Sequence, residues 1–262
     1  MMKRPWLIPV SITGLLLVYV VLYLWQPGGG DVLFLVTHAL FSVFALLASA
    51  LALRASRMFE PGVASRRVWL FFGAGMTMLT ASEMLGIFYY FGGKEVPYPS
   101  PIDVLWAIGY IPVLASLVLQ YRALGVQISL RRKLIVLAVY LGILTITFAI
   151  LWGFILSGPG QVAVMQILIS AYYLVGDLGV AFIATLSLLF LGNGLVSRPW
   201  QYMSISILLF AVAGLSFSYG TWNNTYVTGS NLLSGVVDAA NLSAYVMAAA
   251  GGYRQITLRL RL

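Results

Sequence analysis

Residues 134–157 read LIVLAVYLGILTITFAILWGFILS, 24 consecutive positions without a charged side chain, directly after Arg131, Arg132 and Lys133. A helix needs roughly 20 apolar residues to cross the hydrocarbon core of a bilayer. Basic residues beside such a run mark its cytoplasmic end. The run is also too continuous for a membrane barrel strand, which alternates apolar and polar over about ten residues. Outward from this stretch, seven further runs of the same kind are separated by Pro- and Gly-rich punctuation. The eight predicted spans cover about 5–25, 32–53, 68–92, 101–121, 134–157, 162–191, 199–222 and 231–253. With 61% hydrophobic and only 8% charged residues, the chain has no balance a soluble domain could carry. The fold class expected is an all-α integral membrane protein of eight transmembrane helices.

The net charge of +8 does not mark a nucleic-acid binder, because its placement is that of a topology signal. Lys3, Arg4, Arg54, Arg57, Arg66, Arg67, Arg122, Arg131, Arg132, Lys133, Arg198, Arg254, Arg259 and Arg261 all fall on one side of an eight-span chain. Only Lys94 falls on the other, so both termini are expected in the cytoplasm of a cell inner membrane. Trp6, Trp25, Trp69, Trp200 and Trp222 sit near predicted span ends, where indole prefers the interface. The absence of cysteine removes disulfides, thiolate metal sites and cysteine nucleophiles. The first run, after MMKRPW, lacks a small-residue cleavage site and reads as a retained helix.

Two segments look alike: YPSPIDVLWAIGYIPVLASLVLQYR at 98–122 and GSNLLSGVVDAANLSAYVMAAAGGYR at 229–254. Each has an aspartate near the start, a tyrosine seven residues later (Asp103 to Tyr110, Asp238 to Tyr245) and a closing Tyr-Arg. LTASE at 79–83 corresponds loosely to LSFSY at 215–219, and His38 to Asp177. The expectation is a parallel repeat of two four-helix halves, 1–130 and 131–262, forming one membrane domain without a soluble one.

Ionisable groups are costly at membrane depth, so His38, Glu83, Asp103, Asp177 and Asp238 are functional candidates by default. Counted from the predicted orientation, all five lie in the outer half or at the centre. Ser234, Asp238, Asn241 and Tyr245 fall on one stripe of the last helix. Ser170, Tyr173 and Asp177 form another, and Thr77, Thr80 and Glu83 a third. These stripes predict a polar pocket open to the outside, lined by spans 2, 3, 4, 6 and 8. Plainer roles stand beside this one. Ser100-Pro101-Ile102-Asp103 fits a helix start with a capping serine, a proline at the first position and a carboxylate in the capping-box place. A single histidine fits a hydrogen-bonded interior residue as well as a ligand. Glu83, Asp177 and Asp238 need a partner or a proton, and no Lys or Arg lies deep in a span. The candidate ligand-binding residues are therefore Glu83, Asp177, Asp238, Asn241, Tyr245, His38, Asp103 and Tyr110.

Several chemistries are excluded or weak. One histidine cannot clamp a haem from both sides, and none of the three lysines lies inside a span to carry a retinal Schiff base. Gly214-Leu215-Ser216-Phe217-Ser218 lacks the second glycine of a nucleophile elbow. Gly176-Asp177 has the form of half an aspartyl intramembrane protease signature, without its partner motif. No phosphate loop or metal-ligand cluster occurs, no catalytic motif is found, and no cofactor is indicated.

PYPSPIDVLWAIGYIPVLASLVLQYR at 97–122 resembles a group of multipass bacterial membrane regions that precede diguanylate cyclase, phosphodiesterase or histidine kinase modules. The positions carrying the resemblance are Pro99, Ser100, Asp103, Trp106, Gly109 and Tyr110, with Glu83 and LGIFYYFGG on the preceding helix. The resemblance implies a sensory or input module, not a catalyst; the outward bias of the carboxylates and the continuous last span into Arg254 suggest that it signals through that helix. A small-solute or proton-coupled transporter is the alternative. Beside the lipid bilayer, the partners such a module takes are a small molecule or ion, a second copy of the chain, or a cytoplasmic signalling protein. ITLRLRL at 256–262 would either end a free-standing relative or lead into a signalling helix.

Overall fold

The computed structural model describes residues 7–92, 100–123, 125, 129–157, 164–192 and 194–260. Lys3, Arg4, Trp6, Lys94, Pro99 and Arg261, which entered the topology and motif readings, lie outside the described residues. Among the described residues there are eight α-helices and no strand: α1 (Leu7–Trp25), α2 (Gly29–Arg57), α3 (Ala64–Phe91), α4 (Pro101–Ala123), α5 (Leu130–Ser157), α6 (Val164–Leu188), α7 (Arg198–Trp222) and α8 (Leu232–Arg259). By length and composition, the seven helices after α1 are long and apolar enough to cross a membrane. The chain is a multipass helical membrane protein. α2, α3 and α8 extend beyond the predicted spans by one to two turns, because their charged ends continue as helix past the apolar run.

Local chemistry explains several boundaries. Gly28 stands at φ +90 before α2, a left-handed conformation that glycine adopts without steric cost. Pro199 occupies the first turn of α7, where a missing N–H removes no hydrogen bond. Asn231 caps α8, its Oδ1 accepting from the Ser234 N–H at 3.0 Å.

The helices pack in the cyclic order α2, α3, α4, α6, α7, α8 and back to α2. α1 lies outside α8, and α5 lies outside α6 and the edge of α7. α5 turns Leu134, Ile146, Trp152 and Leu156 outward, as a lipid-facing helix does. At one end of the bundle, Gln26 Nε2 donates to Gly229 O at 2.6 Å, tying the α1–α2 turn to the loop between α7 and α8. At the other end the Arg259 guanidinium stacks over the Phe59 ring at 4.1 Å. The described Lys and Arg residues all belong to helix ends on this second side, here called the basic end.

Toward the basic end the backbones approach closely because small residues line the crossings. Ala45, Ala48, Ala52 and Ala55 form one fully buried row on α2. A Cβ added to Gly252 would meet Leu51 C at 3.0 Å and Ala52 N at 3.1 Å, and one on Gly251 would meet Pro199 O at 3.2 Å. Near mid-helix, a Cβ added to Gly75 would stand 3.2 Å from Gly109 O. Lipid is as apolar as leucine, so helices in a bilayer associate by such close packing. In the other half the same helices carry Phe34, His38, Phe41, Tyr90, Trp106, Tyr110 and Phe217. Bulky rings there hold the helices apart, and a cavity opens between them.

Candidate functional site

The cavity has a volume of about 630 Å³ and lies within the helix cycle at the end opposite the basic one. Its walls come from the starts of α2, α4 and α8, the first half of α6, the closing halves of α3 and α7, and residues 226–228. Five carboxylates border it: Asp31, Glu83, Asp103, Asp177 and Asp238. No Lys or Arg side chain lines it among the described residues.

The acidic groups are held by phenols arriving from distant parts of the chain. Tyr245 donates to Glu83 Oε1 at 2.8 Å, and His38 Nδ1 lies 3.4 Å from Glu83 Oε2. The second contact is an ion pair when the imidazole is protonated and a weaker polar contact otherwise. Tyr226 donates to Asp238 Oδ1 at 2.7 Å. Tyr110 donates to Asp177 Oδ1. Asp177 and Asp238 are each only 1% exposed, and the Oδ2 atom of each has no hydrogen-bond partner among the described residues, although Thr228 stands beside Asp238. An unpartnered buried oxygen costs the full loss of its hydration, so these two atoms need an explanation. The Tyr226 hydroxyl sits in the loop, outside the spanning helices. Burial, reinforced by the charge of Asp238, pushes its pKa well above the ordinary tyrosine value. It therefore remains a donor at neutral pH.

Gly214 explains how Asp177 is seated. A Cβ at that position would overlap the Asp177 carboxylate, so only glycine on α7 leaves room for the acid. Gly176, beside Asp177 on α6, is faced by the Tyr110 ring, with Cδ1 3.3 Å from where a Cβ would stand. The two glycines thus admit the carboxylate and the phenol that binds it.

Asp103 has a structural occupation. Its Oδ2 accepts from the Ser100 N–H at 2.7 Å and from Ser100 Oγ at 2.8 Å, and Tyr173 donates to its Oδ1 at 3.2 Å. The capping-box expectation is half met: the carboxylate reaches back to the Ser100 N–H, while the serine hydroxyl donates to the carboxylate instead of accepting from the Asp103 N–H. That N–H donates to Ser100 O at 3.1 Å.

Of the eight sequence-derived candidates, His38, Glu83, Asp103, Tyr110, Asp177, Asp238 and Asn241 border the cavity. Tyr245 does not; it is fully buried beneath the floor, where its hydroxyl supports Glu83. The threonine stripe of α3 needs correction. Thr80 donates to Met76 O at 2.7 Å and Thr77 to Gly73 O at 2.9 Å, with Ser49 of α2 also 2.7 Å from the Thr77 hydroxyl, so neither faces the cavity and only Glu83 reaches it. The sequence reading missed α7 entirely, whose Phe210, Ala213, Gly214, Phe217 and Ser218 form a wall. It also missed Asp31 and Tyr226, one in an exposed first turn and the other in a stretch that reads as a turn.

Beneath the floor the axis is apolar. A void of about 20 Å³ there is enclosed by Met76, Leu79, Val113, Val180 and Ile207, under Trp106, Tyr110 and Phe210. Buried amides and hydroxyls reappear nearer the basic end, where Gln120 Nε2 donates to Ser204 Oγ at 3.3 Å.

Compared with family models, with curated proteins and with solved structures, the chain matches none.

Proposed function

We propose that the protein is a membrane sensory or input module of a cell inner membrane. In this reading all eight helices span, both termini are cytoplasmic, and the cavity opens outward to bind a small ligand or a proton. No catalytic step is assigned to it. The observation that carries the reading is the course of α8. One continuous helix borders the cavity with Asp238 and Asn241, supports its floor with Tyr245, and runs on to the basic end at Arg254 and Arg259. A change at the cavity wall can thus be passed along a single rigid element. α8 meets α2 and α7 across close Ala and Gly contacts, so a shift of α8 is passed to both neighbours. The motif at 97–122 supports the same reading. The test is a spin label at Leu260→Cys, read for mobility and for distance to a second label at Met58→Cys as the cavity side is stepped from neutral to acid pH. The expected result is a shift in the wild type that Asp238→Asn with Glu83→Gln abolishes. A shift unchanged in that double variant contradicts the proposal.

A transporter is the second reading, and the packing order favours considering it. Exchanging α2, α3 and α4 with α6, α7 and α8 maps every contact of the cycle onto another, as two repeated halves, 1–130 and 131–262, would give. α1 and α5 do not follow this exchange. The apolar plug below Trp106 and Phe210 argues for sensing, since transport needs a polar path through it. Uptake into proteoliposomes against a pH gradient separates the two.

A further inference from the structure

Resting on the reading of the cavity as a ligand site, we infer that its ligand is an organic cation, an amine or quaternary ammonium carrying an apolar body. Charge is the first ground. Five carboxylates face the space, and His38 is the only side chain among the lining residues able to carry positive charge. His38 is engaged with Glu83 on one wall. On the opposite wall Asp177 has a phenol on one oxygen, while the other lies toward Gly214 with no hydrogen-bond partner among the described residues. An anionic ligand would find no Lys or Arg among the lining residues to pair with, whereas an ammonium group would hold the buried Asp177 side chain in its ionised form.

Ring placement is the second ground. Trp106 and Phe210 stand edge to face with centroids 6.2 Å apart, and Phe210 meets Tyr245 at 4.8 Å. Tyr110 and Tyr173, beside Asp177, are 6.1 Å apart. Phe210 and Phe217 lie four residues before and three after Gly214, on the helix face that receives the Asp177 carboxylate. Aromatic rings lining a cavity beside an acidic group are the side chains that recognise ammonium groups, by cation–π attraction and charge together. Size agrees, since about 630 Å³ falls within the range of cavities that hold small organic molecules. The carboxylates themselves are not arranged for a metal ion. Among the described residues no three His, Asp or Glu side chains converge as ligands. The geometry places the ammonium group beside Asp177, with the body of the ligand against Trp106, Phe210 and Phe217.

The test uses the full chain in neutral phosphatidylcholine nanodiscs and three probes of similar size. These are phenyltrimethylammonium, its uncharged analogue 2-phenyl-2-propanol, and benzoate. Binding is read by tryptophan fluorescence and by calorimetry. The expected result is saturable binding of the cation alone. It should weaken roughly tenfold or more in Asp177→Asn and in Trp106→Leu, provided both variants keep the wild-type helical content. Equal or tighter binding of the neutral probe or of benzoate to the wild-type chain overturns the inference, whether or not the variants fold. So does cation binding that neither substitution weakens. The sensory reading fails separately: a cation that binds saturably but leaves a label at Leu260→Cys unmoved removes signalling and keeps the ligand class. A pH-driven shift of that label in a chain that does not bind the cation saturably does the reverse.

Discussion

Gly214→Ala is the sharpest structural perturbation available at the cavity. The new methyl group would overlap the Asp177 carboxylate, with Cγ 2.8 Å and Oδ1 2.9 Å from the added carbon, and these atoms must move. The carboxylate is the end of a side chain, yet it cannot swing freely, because Tyr110 holds it and α6 packs against α7 around it. Overpacking of this kind costs about 1–3 kcal/mol. The hydrogen bond from Tyr110 contributes about 0.5–1.5 kcal/mol when it is lost. The better helix propensity of alanine returns about 0.5–1 kcal/mol. The net expectation is a loss of about 1–3 kcal/mol, on the combined scale of those effects. The decisive assay is a double-mutant cycle with Asp177→Ala, followed by SDS-induced unfolding in bicelles. With the carboxylate gone the methyl group has room, so Gly214→Ala should become close to neutral. A coupling between the two changes of about 1–3 kcal/mol is expected for residues in contact. If the two losses simply add, Gly214 and Asp177 do not share space in the protein, and this wall is built differently.

Other expectations follow from the same geometry. Gly252→Ala places a methyl group against the backbone of Leu51 and Ala52, which cannot yield as a side chain can, and should cost about 1–3 kcal/mol in the same unfolding assay. Ser100→Ala removes one of the two donors to Asp103 Oδ2 and should cost about 1 kcal/mol, with helical content otherwise unchanged. Tyr226 is shifted upward, so its folded value lies above its unfolded one. The contribution of its hydrogen bond to Asp238 is therefore intact below about pH 10 and is lost as pH rises from there through the folded value. In an absorbance titration, Tyr226→Phe should remove no tyrosinate signal near pH 10; loss of a full step there would show an exposed phenol.

Much of the fold is legible because two strong signals agree. Apolar run length places each helix within a few residues. The clustering of Arg and Lys predicts that α2, α4 and α8 end where α3, α5 and α7 begin, as they do. The acidic residues are also legible as a group, since a carboxylate in an apolar run has no bland surface role to fill. Their partners are not. Tyr245 and Glu83 are separated by 162 residues and meet only because α8 closes the helix cycle beside α2, next to α3. The α7 wall is invisible in the sequence because it contributes rings and a glycine, residue types that fill any apolar helix. Gly214 acquires meaning only once Asp177 lies against it. Thr77 and Thr80 mislead for a different reason: a threonine inside a helix can satisfy its hydroxyl on the carbonyl four residues back, or as Thr77 also does on a serine of the next helix, and needs no polar pocket.

The central claim is that the acidic, aromatic cavity opens to the outside of the membrane while α8 ends within. The chain has no cysteine, so single cysteines report cleanly. Asn241→Cys borders the cavity and Leu260→Cys lies exposed at the far end of the same helix. A membrane-impermeant cationic thiol reagent added to intact cells should modify Asn241→Cys rapidly and leave Leu260→Cys untouched until the membrane is opened. Labelling of Leu260→Cys with protection of Asn241→Cys would contradict the account.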